Sequence, residues 1–452
     1  MKMRKTFFVT SLLIVASMLL AACGAAATPE PTAVPPTEAP TEEPTPEGIT
    51  TDPSGQHVVF WHAMSSGANL EGMTALVDEF NSTNEYGITV EAVAQGSQGD
   101  LETAVNGAIT TGELPNLSMG FPNSLTKWYG LGVISGLNEY IHDPQYGISD
   151  EDYAAIYPGP LSSGTLADGT QIGIPMHQSA QVIFYNHSWA QELGFENPPA
   201  NSAEFKEQAC AAASANGDGT GGLVYFPDAS FVSPWIWAFD GTYLNATGDG
   251  YDLNNQTVLD VASFLKDLVD SGCTLTTPSF PNPEFAARQA LFAVSSTAGE
   301  PFQQAAMDDA GNTDVWGAIP FVGPSGTKAV DAFGQMIGVV KTNPEADLAS
   351  WIFLRYLTSA ETQAKWIGYT GYFPSQSTTD VGDRPTTDPV WAGALDLLQY
   401  GQGEPNLAAH GTVRSLIRDA FFAILDAPDE AGVQAVLDQL NDDAATAVAE
   451  SQ

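Results

Sequence analysis

QIGIPMHQSAQVIFYN, residues 171–186, changes character in its middle, and the rest of the chain falls on either side of it. After the Asp168-Gly169 turn signal, Ile172, Ile174 and Pro175 read as a short apolar strand, and Val182-Ile183-Phe184-Tyr185 as a second, buried one. Met176, His177, Gln178, Ser179 and Ala180 lie between them. Polar groups set between two buried strands need hydrogen-bond partners or water, so the patch reads as a crossing between two lobes that also faces a cleft. A polar turn inside one large domain is the competing reading at this point.

Upstream, residues 57–62 (HVVFWH) form an apolar strand, and Leu70, Met73, Val77 and Phe80 recur at helical spacing. Ile88, Val90, Ala92 and Ala94 alternate as a strand, Leu101, Val105 and Ile109 mark a second helix, and residues 117–121 form a third strand after the Gly112 and Pro115 breakers. This βαβαβ order predicts an α/β fold with a mainly parallel sheet and right-handed crossovers. In open sheets of this kind ligands sit beyond the carboxyl ends of the strands. Those ends supply Trp61, His62 and Ser65, then Gln95-Gly96-Ser97-Gln98, then Phe121-Pro122-Asn123. Aromatic rings beside neutral hydrogen-bonding groups suit a polyhydroxylated ligand, because a sugar's C–H face stacks on a ring while Asn, Gln and Ser meet its hydroxyls. Polar structural turns are the alternative.

Downstream, residues 231–239 (FVSPWIWAF) put Trp235 and Trp237 within one turn. Pro234 and Asp240-Gly241 frame the pair in loop-like sequence, so one Trp is expected to form a stacking platform, with core packing as the competing reading. Residues 216–222 contain a formal GxGxxG, but it follows a helix and precedes a strand, the reverse of the dinucleotide-binding order, and reads as a turn. A strand over 291–294 ends in the hydroxyls of Ser295-Ser296-Thr297. Further strands are read over 315–321 and 333–340, and amphipathic helix dominates after Asp396. No GxSxG, HExxH or GxxxxGK motif occurs, and the 6 His residues lack metal-ligand spacing, so no catalytic residue, cofactor or metal site is read. With 54 acidic residues, any carboxylate pair is expected by chance and lends no weight to a glycoside hydrolase, the reading from another class.

At 452 residues the chain exceeds one core of ordinary size, so two lobes are expected. A formal charge of −40, from 14 basic against 54 acidic residues, makes nucleic acid or an anionic membrane surface a repelled partner. Lys2, Arg4 and Lys5 precede an apolar run over 7–20 too short to span a membrane. Leu20-Ala21-Ala22-Cys23 resembles the bacterial lipobox, which implies cleavage before Cys23 and a lipid on that residue; an ordinary secretory signal is the alternative. Residues 25–54 are Ala, Thr, Pro and Glu with eight prolines and no aromatic ring, a composition that cannot build a core and reads as an extended tether. Outside the cytoplasm the remaining pair, Cys210 and Cys273, suggests a disulfide between two helices, against two unpaired thiols.

Together with the lipobox and tether, residues 60–64 (FWHAM), 111–115 (TGELP), 184–186 (FYN) and 370–374 (TGYFP) resemble the extracellular solute-binding proteins of ABC importers, nearest to the family 1 binders of carbohydrates and glycerol 3-phosphate. The resemblance runs from 57 to about 445 and rests on the order of the motifs. It implies a two-lobed α/β periplasmic-binding-protein fold of type II, each lobe a mainly parallel sheet flanked by helices, with crossings near Ser179, Asp331 and Gly371. Signal peptide 1–22, lipidated Cys23 with a disordered tether to 56, lobe one over 57–178 and 332–372, and lobe two over 179–331 and 373–452 follow. The resemblance implies ligand contacts at Gln98, Pro122, Ser179, Ser296, Gly334, Tyr372 and His410, to which the strand ends add His62, Ser65, Phe121 and Asn123. Gln98 replaces an aromatic hydroxyl, Pro122 an acid, and His410 the Arg that holds phosphate. Arg offers a permanent charged fork and His is largely neutral near pH 7, so a neutral sugar or oligosaccharide is expected over a glycerol 3-phosphate or glycerophosphodiester. The implied protein is a monomeric, non-enzymatic carrier held outside the cytoplasm at the cell membrane by Cys23, and its partner is an ABC permease.

Overall fold

The computed structural model describes residues 48–166, 168–225, 228–277 and 280–451. Residues 1–22, Cys23 and the Pro-rich chain to 47 lie outside the described residues, and with them the signal-peptide and lipid-anchor expectations. Residues 48–56, which composition assigns to the tether, belong instead to the folded body. Ile49 N–H donates to the Asp143 carboxylate at 2.6 Å, Gly55 N–H donates to the Tyr86 carbonyl at 2.9 Å, and Pro53 is buried.

One sheet is built from β1 (His57–His62), β2 (Thr89–Ala94) and β3 (Leu117–Gly120), with β1 parallel to both neighbours. Their crossovers are α1 (Gly67–Thr83) and α2 (Gln98–Thr111). α2 starts at a capping box in which Ser97 and Asp100 satisfy each other's backbone N–H, and stops at Gly112, whose φ of 80° favours glycine. A third helix, α3 (Pro122–Gly130), begins where a loop was read, because Pro122 supplies a preset φ at the first helical position. β4 (Ile174–Pro175) and β12 (Met336–Val339) complete the sheet in the order β2-β1-β3-β12-β4. Phe60, Phe80, Leu101, Trp351 and Phe353 are buried against it.

The second sheet contains β5 (Ser179–Asn186), β6 (Gly221–Tyr225), β7 (Thr274–Thr276), β8 (Ala290–Ser296), β9 (Trp316–Ile319), β10 (Phe321–Val322), β11 (Lys328–Phe333) and β13 (Gly401–Gln402). Its main path is β10-β11-β5-β8-β6-β7. The mainly parallel expectation holds for β1 to β3 but not here. β6 is parallel to β7 and β8, whereas β5 is antiparallel to β8, β9 and β11. The chain enters this sheet at Ser179 and leaves it at Phe333, which pair with each other, so the entering and leaving strands must run in opposite directions. Hydrophobic clusters cover both faces, the larger one including helices Gln256–Asp270, His410–Leu425 and Glu430–Glu450. Cys210 and Cys273 are disulfide-bonded across a Cα–Cα distance of 4.7 Å.

Between the sheets the chain passes at residues 176–178 and at Gly334-Gln335. Phe373 lies beside the first passage, exchanging backbone hydrogen bonds of 2.9 and 2.8 Å with Gln178.

Candidate functional site

Strand direction brings one edge of each sheet to these crossings. On the first sheet, β1 ends at His62 opposite Ala94, and β3 ends at Gly120 opposite Met336, which also pairs with Pro175. His62, Gln98, Phe121, His177 and Gln335 therefore share that edge. On the second, β5 begins at Ser179, β11 ends at Phe333 and β8 ends at Ser296; β13, parallel to β11, ends beside Asp331 and leads to Glu404. The edges touch. The Phe121 and Phe333 rings meet edge-on at 6.4 Å, and the Thr126 hydroxyl donates to Asn406 at 2.8 Å.

On the first edge His62 is buried, and its Nδ1 accepts from the Met64 N–H at 3.1 Å, closing the turn after β1. Burial penalises the imidazolium and pushes its pKa down to about 4. His177 is also buried; its ring stacks on Tyr372 at 3.7 Å, and burial pushes its pKa down to about 3 and the Tyr372 phenol up to about 12. Gln335 donates through Nε2 to Gln98 Oε1. The Gln335 side chain also hydrogen-bonds with His177, and Gln98 Nε2 is buried without a hydrogen-bond partner. Gly334 is required at the crossing, since a Cβ there would stand 2.2 Å from the His177 carbonyl oxygen.

The second edge carries a buried charged network. His410 hydrogen-bonds through Nδ1 to the Tyr251 hydroxyl at 2.8 Å and through Nε2 to Glu404 at 2.9 Å. Glu404 also accepts from Arg414, which donates in turn to the Ser230 hydroxyl at 3.0 Å. Arg414 foremost, then His410, hold Glu404 below the usual carboxylate range against the opposing effect of burial. Asp228 caps helix Ala229–Ala238 by accepting from the Phe231 N–H at 2.9 Å. Asp331 is fully buried beside Glu404, with which its carboxyl hydrogen-bonds, and burial first, then the charge of Glu404, push it well above the usual carboxylate range.

Several expected positions fall elsewhere. Trp235, read as a loop platform, is buried in the helix Ala229–Ala238, ringed by Phe205, Phe264 and Phe321 at 5.1–5.2 Å; it belongs to the core. Trp237 is 7% exposed and stacks on Tyr243 at 6.2 Å, from which Tyr251 and His410 continue the column. Ser296 stays at the second edge, where its hydroxyl accepts from the Ala298 N–H at 3.2 Å and keeps its own O–H to donate. Ser65 is exposed in the turn before α1, Ser179 is buried at the start of β5, and Asn123 lies in the first turn of α3, near Gly411. The residue reading missed Asp331, Gln335, Glu404 and Arg414 as a group. Asp331 had a signal of its own, an acid set between apolar residues in the strand KAVDAF, whose other charge is Lys328 at its start. Among the described residues no group of three or more His, Cys, Asp or Glu could hold a metal ion.

The family model described as bacterial extracellular solute-binding protein matches residues 75–394. A binding protein of Brucella abortus (strain 2308) is 24% identical over 258 residues, 55% of this chain and 60% of that protein, so the match spans less than two thirds of that relative. In structure the chain is similar to UgpB from Mycobacterium tuberculosis in complex with glycerophosphocholine, at a TM-score of 0.76 and 18% identity over 88% of this chain and 99% of that one. It is also similar to the GacH receptor of Streptomyces glaucescens, solved unliganded and with acarbose, at a TM-score of 0.72 and 18% identity over 86% and 99%. At these identities the structural likeness carries the two-lobed fold.

Proposed function

The chain belongs to the bacterial extracellular solute-binding proteins, and from that premise we propose that it captures a neutral sugar or oligosaccharide between its two lobes and delivers it to an ABC permease. The observation that supports the reading is the group of buried, uncharged polar side chains where the edges meet, Gln98, His177 and Gln335, in which Gln98 Nε2 has no hydrogen-bond partner and burial keeps His177 neutral. Groups of this kind match hydroxyls, each of which both donates and accepts. Phe121 and Phe333 add apolar surface where the edges meet.

A phosphorylated solute, such as glycerol 3-phosphate or a glycerophosphodiester, fits less well. Arg414 is already engaged by Glu404 and Ser230, and the ionised Glu404 beside it offsets its charge. Solute bridging the crossings would favour the closed arrangement of the lobes, the form offered to the permease. No chemistry on the solute is required. A lipid on Cys23 would hold the monomeric body at the outer face of the cell membrane, the 23–47 stretch serving as tether.

Thermal-shift screening of the purified chain with mono- and oligosaccharides, glycerol 3-phosphate and glycerophosphocholine tests this, because a compound that binds the folded form raises the melting temperature. A shift with neutral saccharides is expected. A shift with phosphorylated compounds alone would reverse the choice of solute, and glycoside turnover would revive the hydrolase.

A further inference from the structure

Helix Glu300–Ala310 follows β8 of the second sheet, and helix Ala360–Tyr369 packs on α1 of the first. Between them and the segment 380–388 lies a cavity of about 750 Å³, none of whose lining residues belongs to the sheet edges described above. Its walls carry Glu300, Asp308, Asp380, Asp383 and Asp388 against one base, Arg384, with the Tyr369 phenol at the end of the second helix. Gly371 passes so close to the first helix that a Cβ there would stand 2.8 Å from Pro301, which holds Glu300, one residue earlier, in place.

Exposed acids are ordinary surface for a chain of this charge, but Glu300 is not one of them. It is 6% exposed, and its carboxyl makes no hydrogen bond. Burial pushes its pKa up to about 7, the charge of Asp388 acting with burial and that of Arg384 against it. Arg384 is committed elsewhere. Its Nη1 donates to the Ile367 and Thr370 carbonyls at 2.6 and 2.5 Å, its Nη2 reaches Asp388 at 3.4 Å, and the guanidinium lies 4.7 Å over the Trp391 ring. An acid in the first turn suits the helix dipole, yet an exposed one would do so without the cost of burial. What Glu300 lacks is a donor that brings positive charge.

We propose that this cavity is a second binding site, for an organic polyamine, with one ammonium donating to Glu300 and another to the exposed carboxylates of Asp380 and Asp383. An ammonium has three donors and no acceptor, which is what an unpartnered carboxylate takes. Ile367 and Val381 offer apolar wall to the methylenes between the charges. Among the described residues no acidic group converges as a metal ion requires, so charges spaced along a chain fit these carboxylates better than a single ion does. The site is separate from the solute cleft and independent of which solute that cleft takes. The ammonium pairs with ionised Glu300, so affinity falls as pH drops through about 7.

Isothermal titration calorimetry of the full chain with spermidine, at about 0.15 M salt to screen exposed charges, tests the site without any saccharide present. The wild type is expected to bind spermidine saturably, and about eightfold more weakly at pH 6 than at pH 7.5. Glu300→Gln should bind about 10- to 100-fold more weakly at pH 7.5, the range for hydrogen bonds to a charged group, and lose the pH dependence. Asp442→Asn removes the same charge from an exposed position on helix Glu430–Glu450 and should stay within about twofold of wild type. No binding by the wild type, a loss within about threefold in Glu300→Gln, or an equal loss in Asp442→Asn would overturn the assignment. Should Glu300→Gln fail to fold, Ala305→Trp, which fills the cavity from an exposed helical position, should weaken spermidine binding instead, and unchanged binding would overturn it.

Discussion

Replacing Gly334 by Ala probes how tightly the crossing between β11 and β12 is held. The added Cβ would stand 2.2 Å from the His177 carbonyl oxygen and 3.3 Å from its carbon, where ordinary contact begins at 3.4 Å. Relief requires the two adjacent crossings to separate by roughly 1 Å, a backbone shift of the kind overpacking forces. Neither crossing yields easily. Met176 N–H donates to the Gln335 carbonyl at 2.9 Å, Gln178 exchanges two hydrogen bonds with Phe373, and the His177 ring lies 3.7 Å from that of Tyr372. Overpacking against backbone costs ~1–3 kcal/mol. For lobes of this size that is a fall in melting temperature of about 2–12 °C, read by differential scanning calorimetry. The same shift would move Gln335 and His177, so saccharide affinity should fall with it. A melting temperature within about 1 °C of wild type together with unchanged affinity would refute the steric argument.

Trp235→Ala empties a core site and should lower the free energy of unfolding by about 3–5 kcal/mol in urea titrations, leaving the affinity of the folded protein intact; lost affinity at unchanged stability would return Trp235 to the cleft. The Cys210–Cys273 bond closes a loop of sequence separation 63, for which chain entropy gives about 4 kcal/mol, so a C210S/C273S double variant should melt well below wild type, and equal melting would contradict a stabilising bond. His62 has a folded pKa of about 4, below its ordinary ~6.5, so the unfolded chain takes up the proton first as pH falls. Its stabilisation, ~3 kcal/mol, is complete above about pH 6.5 and is lost on the way down to about pH 4. Stability curves of wild type and His62→Gln should therefore converge over that window. Glu300, whose pKa is raised to about 7 by burial, acts with the opposite sign but equally in both proteins, and a difference that stays flat with pH would contradict the assignment.

Short apolar and alternating runs made the first sheet legible. HVVFWH, an apolar run, occupies β1 from end to end, and the alternating Val90, Ala92 and Ala94 fall in β2. The passage at 176–178 was visible because polar residues interrupt two apolar strands at a point where the chain leaves one core for another. Helix Ala229–Ala238 was missed for a complementary reason. All ten of its residues are buried, so no polar face reveals a 3.6-residue period, and Pro234 reads as a breaker. The charged network was illegible as a unit. Asp331, Glu404, His410 and Arg414 come together only through the pairing of β11 with the short strand β13, and two residues in GQG carry no pattern from which that pairing could be read. His410 shows the consequence: assigned to solute as a replacement for Arg, it is held between Tyr251 and Glu404.

A crystal structure of the chain with the saccharide that raises its melting temperature most would test the binding account most directly. We expect the saccharide between the two sheet edges, hydrogen-bonded to Gln98 and Gln335. A saccharide bound on an outer face, away from both side chains, would contradict it.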